Sequence, residues 1–202
     1  FNVTSTFARL IDRSVGTHEI DIVFVDVGPN LGAINRAALI ASNYVVIPLI
    51  PDLFSLQGLI NVGKYLVEWR RDWQGGLERL GNTTIGNAKY PKGKMQPIGY
   101  IILQHRERQS RFVASHQRWV DRIPETYATR VINQPYFQAQ VDSNLIGQVR
   151  NYQSLMALSH EARKPVFELR SADGVIGSHF KVVQEADETY AKLAQEIAKR
   201  IG

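Results

Sequence analysis

The 202-residue chain contains no cysteine, which excludes disulfides, thiolate metal sites and cysteine nucleophiles. Long apolar runs are missing as well. None approaches the roughly 18 to 20 residues that a membrane-crossing helix needs, and the longest, around residues 44–50, is strand-sized. The histidines (His18, His105, His116, His160, His179) are scattered without H-E-x-x-H or comparable spacing, so they compose no metal cage. Ser110, Ser159 and His160 build no nucleophile elbow, and a hydrolase triad is unsupported. There is no internal repeat, no low-complexity run and no secretory pattern at the start.

What is present is ordinary for a water-soluble domain: 44% hydrophobic and 21% charged residues. The length suits one large domain over residues 1–202. A net charge of +5 is compatible with contact to nucleic acid or an anionic membrane, and equally with a mildly basic enzyme. The chain opens on Phe1, which is read as the start of a processed chain or of the C-terminal part of a longer one.

The run Ile22-Val23-Phe24-Val25 predicts a strand buried on both faces, ending in Asp26 and a Gly28-Pro29 turn. A carboxylate at the C-terminal end of such a strand stands where open α/β sheets bind ligands; the plainer role is a cap on the next turn. Helices are predicted over residues 1–13, 31–41, 56–73, 106–123 and 181–201, with an exit turn at 15–18. Further strands are predicted over 44–49, 98–103 and, short or peripheral, 129–132 and 165–169. Residues 75–97, rich in Gly, Asn and Lys, read as a surface insertion, 133–144 as irregular, and 150–160 as a loop with a helical turn. The fold class expected is α/β, a mostly parallel sheet with helices on both faces.

The segment from Asp21 to Gly32, then Ala37-Ala38-Leu39-Ile40-Ala41, Val45-Val46-Ile47-Pro48 and Phe54-Ser55-Leu56-Gln57-Gly58-Leu59, resembles the ParA/MinD group of deviant P-loop ATPases, most of all ParA-type partition proteins. Beyond Leu59 the likeness is looser and runs through 98–103, Arg150-Asn151 and Arg163-Lys164-Pro165-Val166 to the closing helix. The resemblance implies a P-loop NTPase-like fold, incomplete at its N-terminus. It implies that Asp26 organises Mg²⁺ and water, that Gly28 and Pro29 form a switch loop, and that Arg150 and Asn151 border the adenine. It further implies ATP and Mg²⁺ as cofactors, an ATP-bound homodimer, a ParB-like partner, and non-specific DNA contact through Arg106, Arg108, Arg111 and Arg118. The location implied is cytoplasmic and nucleoid-associated, without a stable membrane anchor. Two alternatives stay open: a nucleotide-free interaction module, and a MinD-like regulator at a membrane surface.

One departure is large. A phosphate cradle needs G-x-x-x-x-G-K-[ST], and the nearest string, which runs from Gly76 to Thr83, puts Asn82 where lysine belongs. Without that loop the 202 residues cannot hydrolyse ATP alone.

Overall fold

A computed structural model describes residues 4–28, 30–80, 90–105, 117–138 and 141–202. Three strands, β1 (Tyr44–Leu49), β2 (Gln96–His105) and β3 (Leu145–Arg150), form one parallel sheet in the order β1-β2-β3. The β1 and β2 strands meet expectation because their apolar, β-branched runs can be covered from both sides. The β3 strand was not foreseen: its Gly147, Gln148 and Arg150 interrupt the apolar pattern.

Helix α1 (Thr6–His18) buries Ala8 and closes at Glu19 in the left-handed conformation. It runs through the expected exit turn at 15–18, since an interior glycine such as Gly16 costs a helix only about 1 kcal/mol. The expected strand at 22–25 is not formed. Ile22, Val23 and Phe24 are 46%, 41% and 77% exposed, and the sheet strands pair only with one another. An apolar run becomes a strand only where a neighbour accepts its N–H and C=O groups, and no described strand does so here.

Helix α2 (Ala33–Ala41) buries Ala37, Ala38 and Ile40. Helix α3 (Leu53–Leu80) starts where the Asp52 carboxylate accepts the Ser55 N–H at 2.6 Å, an N-cap bond. Its buried residues, Leu56, Leu59, Gly63, Leu66, Trp69, Trp73 and Gly76, recur every three or four positions and make one continuous stripe. That stripe carries the helix past Gly75 into the predicted insertion, whose last two residues, Gln96 and Pro97, open β2.

Two further predicted strands are corrected. Residues 129–130 end helix α4 (Ile123–Arg130), which has Pro124 in its first turn and buries Ile123, Tyr127 and Ala128, a helical spacing. At 165–169 the chain makes a 3₁₀ turn, Val166–Glu168, closed by the Glu168 N–H on the Pro165 carbonyl at 3.0 Å. Helix α5 (Ser154–Ala162) replaces the expected loop at 150–160, and α6 (His179–Ile201) matches the predicted closing helix.

The helices cover both faces. On one, Ile47, Leu49, Tyr100 and Ile102 pack against Leu56 and Leu59 of α3 and against Ile123 and Tyr127 of α4. On the other, Ile146 and Val149 meet Leu155 of α5, Val166, Leu169, and Ala186 and Leu193 of α6. A third cluster joins Ile40 of α2 to Leu66, Trp69 and Trp73 of α3 and to Met95. The fold class is therefore α/β with a parallel sheet flanked by helices. Gly63 lets α3 approach α4 so closely that a Cβ there would run into the Arg130 carbonyl. Arg200 ties α6 to the sheet, donating to the carbonyls of Ile98, Ser143, Asn144 and Leu145 at 2.7–3.4 Å. Among the described residues no helix is long and apolar enough to cross a membrane.

Candidate functional site

Because the three strands run in one direction, their carboxyl ends share an edge, and at such an edge α/β sheets carry ligands. The loop after β1 is occupied with capping α3 through Asp52. The loop after β3 begins with Arg150 and Asn151. Arg150 forms an ion pair with Glu185 of α6 at 2.9 Å, and its guanidinium lies 5.6 Å from the Tyr152 ring centre. The Asn151 side-chain carbonyl accepts the Gln153 N–H at 2.8 Å and shapes the turn into α5. Both residues thus hold structure at the edge where the sequence predicts an adenine border, and Glu185 is a partner the sequence offered no sign of.

The expected centre lies on the segment that precedes α2. Asp26 is exposed and makes no hydrogen bond or ion pair with the described residues. The turn after it is held from α2. The Asn35 side-chain amide donates to the Gly28 carbonyl at 2.9 Å, to the Asn30 main-chain carbonyl at 2.6 Å and to the Asn30 side chain at 3.2 Å. The Asn30 side chain in turn accepts the Gly32 N–H at 3.1 Å. This clamp was missed by sequence reasoning. Its only signal is an asparagine five positions beyond another, and asparagine is too common near turns to stand out. Pro29 lies outside the described residues.

A lone unpaired carboxylate suits Mg²⁺, which takes one or two protein carboxylates and fills its shell with water and phosphate oxygens. The described residues contain no group of three His, Asp or Glu side chains that would hold a metal without such help. Asp26 could therefore contribute one ligand, directly or through water, and the phosphates would have to be held elsewhere. No hydrogen bond or ion pair among the described residues joins Asp26 to Arg150 or Asn151.

Of the four arginines expected to meet DNA, Arg106, Arg108 and Arg111 lie outside the described residues. Arg118 is exposed, with its guanidinium 4.9 Å from the Trp119 ring centre; Arg122 reaches the same ring at 5.5 Å. Two cations on one indole is an arrangement that cation–π attraction favours, and it presents a small basic ridge.

Residues 9–77, about a third of the chain, match the family model described as an AAA domain. The match supports a P-loop NTPase-like relationship for this region, a kind of domain compatible with ATP and Mg²⁺. No curated protein matches the chain. Among solved structures the chain is similar to protein DIP2308 from Corynebacterium diphtheriae, with a TM-score of 0.60 at 16% identity, over 98% of this chain and 55% of that one. At that identity the likeness speaks for the fold. The chain spans about half the length of the solved structure it resembles.

Proposed function

We propose that this chain is part of a ParA-type, nucleotide-dependent partition ATPase. Asp26 would stand beside Mg²⁺, and the 28–30 turn would respond to the terminal phosphate. The observation that carries this reading is the Asn35 clamp. An unpaired carboxylate is followed at once by a turn whose two carbonyls are fixed by one amide, inside the region that matches the AAA model. Such a turn can change shape as a unit when Asn35 lets go.

In this reading the phosphate cradle comes from polypeptide outside the 202 residues, because their sequence carries no G-x-x-x-x-G-K-[ST] string. The nucleotide would bring two copies together, and the Arg118 ridge with its basic neighbours would hold DNA phosphates without regard to sequence. A ParB-like protein would stimulate turnover. ATP turnover and ATP-dependent retention on DNA, measured for the intact protein, test the reading. Asp26→Ala should abolish both, and Asn35→Ala should weaken both while leaving Mg²⁺-free nucleotide binding in place. Unchanged turnover and DNA retention in Asp26→Ala would refute the assignment.

A second reading, a nucleotide-free interaction module, is favoured by one observation: the exposed, unpaired stretch Ile22-Val23-Phe24 invites a protein neighbour. Calorimetry with Mg·ATP separates the two, since only the first predicts heat of binding. The membrane-surface alternative needs a free amphipathic tail, and α6 instead buries Ala186 and Leu193 against the sheet.

A further inference from the structure

At the opposite, amino-terminal end of the sheet lies an open groove of about 760 Å³, within the range of ligand-binding clefts. It runs between α3, the start of β2 and the segment that links α4 to β3. Two cations enter it. Arg70 on α3 is held in place by bonds from Nε to the Lys94 carbonyl at 2.8 Å and from Nη2 to the Met95 carbonyl at 2.6 Å. Its Nη1 has no partner among the described residues. Lys94 is exposed, and its ammonium makes no ion pair with them. Side-chain amides from three elements complete the walls: Gln74, Gln96, Asn133, Gln134 and Asn144. None of these amides has a described hydrogen bond.

Among the described residues no carboxylate lines the groove. The acids nearest in sequence are engaged elsewhere: Glu68 with Lys64, Asp72 with Arg36 and Arg71, and Asp142 with the Tyr100 hydroxyl and the Asn144 N–H. Two positive charges therefore face a cleft that the chain leaves uncompensated. The amides decide what kind of anion fits. A phosphodiester offers the cleft only acceptors and inorganic phosphate offers mostly acceptors, whereas each side-chain amide both donates and accepts. Peptide backbone presents the same alternation of N–H and C=O, so walls of amides with two cations suit a peptide carrying carboxylates. Nucleic acid is disfavoured, since among the described residues no aromatic side chain lines the groove to stack a base.

We propose that this groove is a docking site for an extended acidic segment of a partner protein, with Arg70 and Lys94 taking its carboxylates. The test is fluorescence anisotropy of the intact protein, at low salt, with a fluorescein-labelled Gly-Glu-Leu-Glu-Leu-Glu-Gly peptide and its Gln-for-Glu counterpart. The acidic peptide should bind about tenfold or more tightly than the neutral one. Lys94→Glu should weaken it by about tenfold, while Lys192→Glu, an equal charge change on an exposed position of α6, should alter it less than about twofold. Lys94 is exposed, so the variant keeps its fold, which circular dichroism melting verifies. Equal losses in both variants would reduce the binding to bulk charge and overturn the proposal, as would equal affinity for the two peptides. Displacement by millimolar inorganic phosphate at constant ionic strength would mark a small-anion site and overturn the peptide assignment.

Discussion

Two stretches of near-identical character meet different fates in this molecule. Ile22-Val23-Phe24-Val25 and Val45-Val46-Ile47 are both short, β-branched and apolar. The second becomes the core of β1, paired in parallel with β2 through one register shift between Val45 and Val46, with Ile47 only 7% exposed. The first joins no strand and stays largely solvated, with Phe24 77% exposed. Intrinsic preference is the same for both; what differs is a neighbour able to complete the ladder. A strand-like sequence is therefore half of a statement, and the described sheet contains the other half only for the second.

The sharpest way to break this contrast is to truncate both stretches. Ile47→Ala should cost about 2–5 kcal/mol in urea unfolding, because it leaves a cavity between β1 and α3, whereas Val23→Ala should stay within about 0.5 kcal/mol. Equal costs would mean that residues 22–25 are packed after all. Gly63→Ala comes next, at about 1–3 kcal/mol, since the added methyl group forces α3 away from the Arg130 carbonyl. Arg200→Ala should lose about 2 kcal/mol by leaving sheet-edge carbonyls without a charged donor.

The smallest effects concern pH, and they have opposite signs at the two ends of the scale. Burial pushes the Tyr127 hydroxyl up to about 12 from 10.0 and raises Tyr100 as well, where Asp142 adds to the effect. The unfolded chain then releases these protons first, so stability is full below pH 10 and falls as the pH climbs toward 12. Asp173 behaves in reverse. Hydrogen bonding to Lys164 holds its carboxylate below the ordinary 3.8. Its contribution is in place at neutral pH and fades as the pH drops below that value; Lys164→Met should flatten this acid limb in melting curves. None of the three groups lies in residues 20–30, so Val23→Ala should leave both limbs unmoved.

Much of the architecture was legible because burial on both faces writes itself as continuous apolar runs. Residues 44–49 and 98–103 belong to that class, while the stripe of Val182, Ala186, Leu193 and Ile197 on α6 was legible by the helical spacing of its one packed face. What escaped did so for physical reasons. The β3 strand mixes Gly147, Gln148 and Arg150 into its run, since Gly147 must leave room for Leu193 and Arg150 must reach Glu185. Thr129, Val131 and Ile132 look like a strand by propensity, yet Ile123, Tyr127 and Ala128 set a helical phase that overrides it. In the candidate site, Asp26 and Gly28 were named for their order in the chain. Asn35 was not, because a side chain that reaches back seven positions to a carbonyl leaves no periodic trace.

The hydrogen bonds of Arg200 join residues 55 to 102 positions apart, and this carries a kinetic meaning. Closing loops of that length costs chain entropy before the contacts repay it, so a side chain two residues from the end of the chain is expected to lock in last. Arg200→Ala should therefore leave the refolding rate nearly untouched and hasten unfolding instead. That side chain acts as a latch on the finished molecule, setting how long it lasts once made.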